Sequence, residues 1–137
     1  MKKEKSCGAV VWKKEDGNVL FLIEHMALGH TSLPKGHVEG DETEAETALR
    51  EIREETGLEV RLDTRFRHTI SYSPYRGVLK DVVFFLAEAE EGRLVNQESE
   101  VSELEWLPQN DAVAALTYAA DRETLQAAVR YLQAGSA

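Results

Sequence analysis

The sequence predicts an α/β (α+β) domain in which helices pack on a mixed β-sheet. Short apolar runs that favour strands precede and follow an amphipathic helical segment, and a second helical segment closes the chain. The chain has 137 residues, 42% of them hydrophobic, and contains no internal repeat or low-complexity segment. This length suits one domain with a real core, so we expect a single domain over residues 1–137.

The first two strands are predicted by apolar runs on either side of a turn. Residues 7–12 and 19–24 are separated by Glu15-Asp16-Gly17-Asn18, in which the Asp-Gly pair is a strong turn signal. Residues 29–40 mix Gly, His, Thr, Ser and Pro and sustain neither the helical nor the strand period. We expect a long ordered loop there.

A helix is predicted from Asp41 to about Gly57. Asp41 and Glu44 make a candidate capping box, and Gly57 is the expected C-terminal stop. The apolar residues that recur at spacings of three and four are Ala45, Ala48, Leu49 and Ile52.

Further strands and a closing helix are predicted in the rest of the chain. Residues 58–62, 66–72 and 78–89 favour strands, with a turn at 73–77, and residues 103–107 are a candidate for one more. Pro108 opens a polar segment that becomes helical. The apolar stripe of the closing helix consists of Leu125, Ala128, Val129 and Leu132.

Charge and composition exclude several classes of protein. The 16 Lys and Arg against 25 Asp and Glu give a net charge of −9, which argues against a broad basic surface for extended nucleic acid. The longest apolar runs, 19–23 and 82–87, are far shorter than the roughly 18 residues that suggest a membrane span. The N-terminus has no signal-peptide core, and Cys7 has no partner for a disulfide. We therefore expect a cytoplasmic protein that contacts no membrane.

The first helix carries a cluster of acids away from its apolar stripe. At about 100° per residue, they fall within an arc of roughly 100°. The four acids are Glu44, Glu51, Glu54 and Glu55. Such a cluster beside a phosphate substrate is a usual setting for Mg²⁺. The alternative is a solvated face whose acids pair with Arg50 and Arg53.

The spacing of these residues favours the metal site. From Gly36 the chain runs through five residues to Glu42, then seven more, and continues Arg50-Glu51-Ile52-Arg53-Glu54-Glu55-Thr56-Gly57-Leu58. This pattern resembles the Nudix box at every defined position. The resemblance implies the Nudix fold, a mixed β-sheet sandwiched between α-helices. It also implies hydrolysis of a nucleoside diphosphate linked to another group, with Mg²⁺ or Mn²⁺ as cofactor.

The resemblance also implies roles for the box residues. The implied metal ligands are Glu51, Glu54, Glu55 and the backbone carbonyl of Lys35. Arg50 would orient the glutamates, and Glu42 would brace the loop or share the duty of the base. An acid six positions before Trp106, Glu100, would be a further ligand or base, with Glu98 and Glu103 as competitors. The implied catalytic residues are thus Glu42, Arg50, Glu54 and Glu100.

Substrate-binding residues follow from a closer resemblance. The stretch Pro34-Lys35-Gly36-His37-Val38-Glu39 looks like the diadenosine tetraphosphate (Ap4A) hydrolase branch, which implies that Lys35 and His37 point at the polyphosphate. For His37, the alternative is a loop residue with local hydrogen bonds only. Lys80 matches a phosphate-contacting lysine, although an edge-strand lysine that limits aggregation is an equally simple explanation.

Two tyrosines match the aromatic pair that stacks on adenine in that branch. Tyr118 lies twelve residues after Trp106, and Tyr72 falls near the second aromatic position. Stacking suits a purine because it requires only a flat face and excluded water. The alternative for Tyr118 is a place in the core.

The resulting hypothesis is a metal-dependent hydrolase that splits Ap4A asymmetrically into ATP and AMP. Its partner would be a small-molecule nucleotide, a dinucleoside polyphosphate, and it would be a monomer or homodimer. Other Nudix activities stay open: action on 5′-triphosphate RNA, a diphosphoinositol phosphate or an oxidised nucleoside triphosphate. A nucleotide-binding module without turnover is disfavoured because the glutamates are intact.

Overall fold

A computed structural model describes residues 1–90, 94–96 and 99–135. In these residues it contains one seven-stranded sheet and three helices. The strands are β1 (Lys2–Glu15), β2 (Asn18–Met26), β3 (Thr31–Ser32), β4 (Lys35–His37), β5 (Val60–Tyr72), β6 (Val78–Ala89) and β7 (Val101–Pro108). The helices are α1 (Glu44–Thr56), α2 (Gln109–Ala115) and α3 (Ala119–Gly135).

The sheet is mixed, as predicted. Its main path runs β3-β2-β1-β6-β5, with β4 paired to β1 and β7 paired to β2. Strands β1 and β6 are parallel, whereas the other pairs are antiparallel. The predicted hairpin is confirmed, and Asp16 and Gly17 adopt the positive φ angles of 51° and 81° that its tight turn requires.

Helices cover both faces of this sheet. Because side chains alternate along a strand, β1 sends Cys7, Ala9 and Val11 into the cluster under α1, and Val10 into the cluster under α2 and α3. Ala48 and Ile52 of the predicted helical stripe lie in the first cluster, and Leu125 and Ala128 of the closing helix in the second. The predicted fold class, a mixed sheet between α-helices, is confirmed.

The predicted loop at 29–40 is partly wrong. Thr31–Ser32 pairs with β2 as β3, and Lys35–His37 pairs with β1 as β4. These strands have only two and three residues, so they are too short to show a period-two pattern in the sequence. They hold residues 29–40 against the sheet, next to the start of α1.

The helix start was also predicted wrongly. The N-cap is Thr43, whose hydroxyl accepts a hydrogen bond from the Glu46 backbone N–H, while the Glu46 side chain accepts one from Thr43 N. Asp41 and Glu44 form no capping box, since α1 begins at Glu44 itself. The stop is confirmed: Gly57 has φ 76° and its N–H donates to the Arg53 carbonyl at 2.9 Å.

Residues 58–62 and 66–72 were predicted as two strands, but residues 60–72 form the single strand β5. Its pairing with β6 continues on both sides of a register shift between Asp63 and His68. The strand at 103–107 is confirmed as part of β7. Among the described residues, no helix has the length and apolar character that crossing a bilayer requires.

Candidate functional site

Most of the predicted phosphate and metal residues line one open cavity of about 700 Å³, which we call the acidic cavity. It lies between β4, the middle of α1, the Lys80 end of β6 and the turn before β7. The predicted residues that line it are Lys35, His37, Glu51, Glu55, Lys80 and Glu100. Glu100 is held there because its carbonyl accepts a hydrogen bond from Ala27 N at 2.7 Å. Residues far apart in the sequence thus meet at one site.

Glu51 rests against the backbone of β4. A Cβ added at residue 36 would lie 2.0 Å from the Glu51 Cδ atom, so only glycine leaves room for this carboxylate. The first glycine of the predicted motif therefore has a packing role at the site.

Arg50 connects the loop before α1 to the acids on the helix. Its Nε donates to Glu42 Oε2 at 2.6 Å, its Nη1 to Glu51 Oε1 at 2.6 Å, and its Nη2 to the His37 carbonyl at 2.8 Å. Nη1 also lies 3.2 Å from Glu54 Oε2. This geometry matches the orienting role expected for Arg50.

Glu42 is fully engaged in this network. Besides Arg50, it accepts hydrogen bonds from Glu39 N and from the Thr47 hydroxyl, both at 3.0 Å. The Arg50 hydrogen bond, followed by that from Glu39 N, lowers the pKa of Glu42 to about 2. Of the two roles left open for Glu42, the contacts match bracing the loop.

Glu55 faces a second buried acid that sequence reasoning missed. Glu55 is 8% exposed and Glu24, on β2, is 1% exposed. Burial, followed by the nearby charge of Glu24, raises the pKa of Glu55, whereas Lys35 opposes the shift. A signal for Glu24 existed: it is a charged residue at the end of an apolar strand segment, where burial is expected.

These acids fit a divalent cation. Oε1 of Glu55 is buried and has no hydrogen-bond partner, and an unpaired buried carboxylate is costly. The donors at this end of the cavity are carboxylate oxygens, the ligand chemistry that Mg²⁺ and Mn²⁺ prefer. Within the described ranges, no three His, Cys, Asp or Glu side chains are already arranged to hold a metal ion. Arg50 holds one carboxylate oxygen of Glu51 at 2.6 Å and one of Glu54 at 3.2 Å.

Among the described residues, three further acids that the sequence singled out do not line the acidic cavity. Glu54 contacts Arg50 Nη1 at 3.2 Å. Glu103 lies on β7 opposite His25, and Glu98 lies outside the described residues. Glu44, the fourth acid of the helical arc, pairs with Arg67 and Lys5 on another surface.

A second cavity of about 460 Å³, the aromatic cavity, contains both predicted tyrosines. Tyr118 is 55% exposed and Tyr72 is 40% exposed, so the alternative that Tyr118 belongs to the core is wrong. Lys35 lines this cavity as well as the acidic one. The two cavities therefore meet at Lys35.

Lys80 and His37 lie along the sheet beside these cavities. Tyr72 pairs with Lys80 across β5 and β6, and Lys80 pairs with Glu4 across β6 and β1. Since β6 is an interior strand, the edge-strand explanation of Lys80 is wrong. Burial, followed by the neighbouring charge of Lys35, lowers its pKa. His37 Nε2 lies 3.7 Å from Glu4 Oε1, so its contacts are not confined to its own loop.

Comparison with known proteins identifies relatives for nearly the whole chain. The family model of the NUDIX domain matches residues 2–130. The mouse bis(5′-nucleosyl)-tetraphosphatase [asymmetrical] is 30% identical over 140 residues, which cover 93% of this chain and 95% of that protein. An 8-oxo-(d)GTP phosphatase of Mycolicibacterium smegmatis is 32% identical over 136 residues, covering 92% of this chain but 41% of that protein. Among solved structures, a binary complex of a C. elegans Ap4A hydrolase superposes with a TM-score of 0.87 and 27% identity, covering 95% of this chain and 98% of that one.

Proposed function

The chain belongs to the NUDIX family of hydrolases, and from this premise we propose that it hydrolyses dinucleoside polyphosphates, cleaving Ap4A into ATP and AMP. The observation that supports this substrate class is the junction of two cavities at Lys35. A purine in the aromatic cavity would place its phosphate chain past Lys35 and towards the carboxylates of the acidic cavity. The likeness to asymmetrical tetraphosphatases over nearly the full length points the same way.

NUDIX hydrolases use divalent metal ions, and we propose how this chain holds one. Its ligands would be Glu51, Glu54, Glu55, Glu100 and the Lys35 carbonyl, with Mg²⁺ or Mn²⁺ as the ion. Such an ion neutralises phosphate charge and lowers the pKa of water. Glu24 is the buried neighbour of Glu55 whose proximity raises the pKa of Glu55.

The side chains divide the work of hydrolysis. A water oxygen forms a bond to an outer phosphorus of Ap4A, the bond from that phosphorus to its bridging oxygen breaks, and AMP and ATP leave. A carboxylate, that of Glu100 or Glu54, takes the proton of the water. Arg50 and Glu42 act as positioning residues, because they fix the loop and Glu51 rather than reach the open cavity.

Binding of the substrate would use the remaining predicted residues. Lys35, His37 and Lys80 supply positive or hydrogen-bonding groups for the phosphate chain. Tyr72 and Tyr118 supply exposed aromatic faces for the base. Lys80 is partly buried on β6 and lines the acidic cavity.

The test is a product analysis with purified protein and Mg²⁺. Ap4A, a 5′-triphosphate RNA and 8-oxo-dGTP are incubated separately, and products are resolved by ion-exchange chromatography. We expect ATP and AMP in equal amounts from Ap4A. In oxygen-18 water the label should enter AMP if water attacks the outer phosphorus of the adenosine that leaves as AMP.

A variant pair ties the activity to the proposed site. Glu54→Gln should lower kcat by at least about a hundredfold, whereas Glu123→Gln, an exposed acid on α3, should leave it unchanged. Two ADP from Ap4A, or turnover of 8-oxo-dGTP or RNA alone, would overturn the proposal. The 8-oxo-(d)GTP phosphatase likeness makes oxidised nucleotides the second candidate.

A further inference from the structure

Asp121 is a buried acid in the wall of the aromatic cavity. It lies in the first turn of α3 and is 4% exposed. It lines the cavity together with Tyr72 and Tyr118. Its carboxylate accepts no hydrogen bond from the side chains or backbone of the described residues. The carboxylate therefore lines the cavity without a hydrogen-bond donor from this part of the protein.

The protein itself does not satisfy this carboxylate. Arg122 is the neighbouring cation on α3, but its Nη1 donates to the carbonyls of Leu116 and Thr117 at 2.8 and 3.1 Å. Burial raises the pKa of Asp121, and the charges of Lys35, His30 and Arg122 oppose the shift only in part. A buried carboxylate without donors is costly, so a ligand that brings N–H donors to it gains affinity.

A role in helix stability does not explain this placement. An acid in the first turn interacts favourably with the helix dipole, but it can do so while exposed. Asp111 illustrates this in the first turn of α2, where it is exposed. Asp121 is instead turned into a cavity with aromatic walls.

The purine edges differ in how they match a carboxylate. Guanine presents N1–H and N2–H₂ side by side, two donors that a carboxylate accepts together. Adenine presents the N6–H₂ donor beside N1 or N7. Both ring nitrogens are acceptors, and their lone pairs repel the carboxylate oxygens. Ser32, 4% exposed in the same cavity wall, adds a hydroxyl that can donate to the guanine O6.

We propose that Asp121 reads the edge of the base in the aromatic cavity and selects guanine over adenine. The preferred substrates are then dinucleoside polyphosphates with guanine in that cavity, such as diguanosine tetraphosphate, with Ap4A as the slower substrate. This inference rests on the proposed function, because it assigns the base of the same substrate.

The test compares kcat/KM for diguanosine tetraphosphate and Ap4A, with Mg²⁺, in three proteins. The wild-type protein should prefer diguanosine tetraphosphate by about tenfold, the discrimination of one good bidentate pair. Asp121→Asn replaces one acceptor by a donor, which matches adenine, so the preference should fall at least tenfold or reverse. Asp111→Asn, the matched exposed acid, should keep the wild-type ratio.

Binding measurements separate failure of this inference from failure of the proposed function. The Kd values of GMP and AMP need no turnover, and we expect GMP to bind more tightly to the wild-type protein and to lose this advantage in Asp121→Asn. Hydrolysis of both tetraphosphates with no base preference would overturn the role of Asp121 and leave the proposed function standing. Lack of any tetraphosphate hydrolysis, with GMP still preferred, would overturn the proposed function alone. The wild-type ratio and Kd values decide the matter even if Asp121→Asn does not fold.

Discussion

The Glu51 carboxylate lies so close to Gly36 that a Cβ at residue 36 would stand 2.0 Å from Glu51 Cδ. The positions of β4 and α1 therefore depend on each other, because β4 must carry a glycine at the point where Glu51 of α1 packs against it. Because the close approach is to a carboxylate that Arg50 also holds, the acid cannot move aside without breaking a hydrogen bond of 2.6 Å.

Gly36→Ala should therefore displace Glu51 and lower kcat by about a hundredfold, the usual effect of misplacing a catalytic group by about 1 Å. The unfolding free energy should fall by about 1–3 kcal/mol, the cost of overpacking. Steady-state kinetics and urea denaturation measure the two effects. Gly135→Ala is the control, since its Cβ would meet only ordinary contacts from 3.6 Å outward. Normal kcat in Gly36→Ala would show that the position of Glu51 does not matter.

Glu55→Gln should stabilise the metal-free protein and remove its response to metal. The folded-state pKa of Glu55 is raised, so the folded protein binds this proton more tightly than the unfolded chain. Its contribution to stability is present below the ordinary glutamate pKa of 4.5 and is lost as the pH rises from there towards the raised folded-state pKa. At neutral pH the amide removes that penalty.

We expect the Tm of Glu55→Gln in EDTA at pH 7 to exceed that of the wild-type protein, and its shift on adding excess Mg²⁺ to vanish. Differential scanning calorimetry with and without Mg²⁺ measures both. Glu123→Gln serves as the matched surface control. A wild-type Mg²⁺ shift retained in Glu55→Gln would remove Glu55 from the proposed ligands.

Glu44→Gln should affect stability and leave catalysis intact, although Glu44 shares the acidic arc of α1. Hydrogen bonds from Arg67 and then Lys5 lower the pKa of Glu44 to about 2. A carboxyl with a lowered folded-state pKa stabilises the protein above the ordinary glutamate pKa of 4.5 and loses this contribution as the pH falls towards 2.

The glutamine variant should lose about 1 kcal/mol at pH 7, the upper range for a partly exposed ion pair, and its stability should depend less on pH between 4.5 and 2. Urea denaturation across this pH range tests the expectation. A loss of kcat comparable to that of Glu54→Gln would place Glu44 in the site after all.

Tyr118→Ala should raise KM for dinucleoside tetraphosphates about tenfold, since stacking of a base on an aromatic ring contributes about 1–3 kcal/mol. The unfolding free energy should change by less than about 0.5 kcal/mol, because the ring is largely exposed. Tyr75→Ala is the matched control: Tyr75 is 59% exposed and does not line the aromatic cavity. Equal effects of both variants on KM would contradict the assignment of Tyr118.

Site residues were easier to predict where their spacing along one helix fixes their relative positions. They were harder to predict where their contacts come from distant strands. The motif from Gly36 to Leu58 singled out Glu51 and Glu55, and both line the acidic cavity, because helical periodicity fixes their relative positions. Periodicity alone also put Glu44 in the same arc, since it cannot show that the partners of Glu44 come from β1 and β5. Glu24 was missed for the same reason: its neighbour Glu55 is distant in sequence and meets it only after folding.

The start of α1 shows a second limit. Thr43 and Asp41 are both good N-cap residues, and each has a Glu three positions later. Propensity cannot choose between them, whereas β4 and the Glu42–Arg50 contacts fix where the loop must end. Tertiary contacts therefore decided the boundary.

Arg50→Lys should impair catalysis more than stability, because the guanidinium reaches acceptors in three directions at once. It donates to Glu42, Glu51 and the His37 carbonyl. A lysine ammonium is a point charge and cannot reproduce this fork. The loop and Glu51 are then no longer held by the same side chain. We expect kcat to fall about a hundredfold with a smaller change in KM.

Arg53→Lys is the matched control, since Arg53 makes a similar bidentate contact with Glu59 at 2.7 and 3.0 Å outside the acidic cavity. It should leave kcat unchanged. The double variant Glu42→Gln with Arg50→Lys should cost little more than Arg50→Lys alone, because the two residues act through the same contact. Additive losses would mean that Glu42 has a role separate from Arg50. A part in general-base catalysis would then replace the bracing role that the contacts indicate.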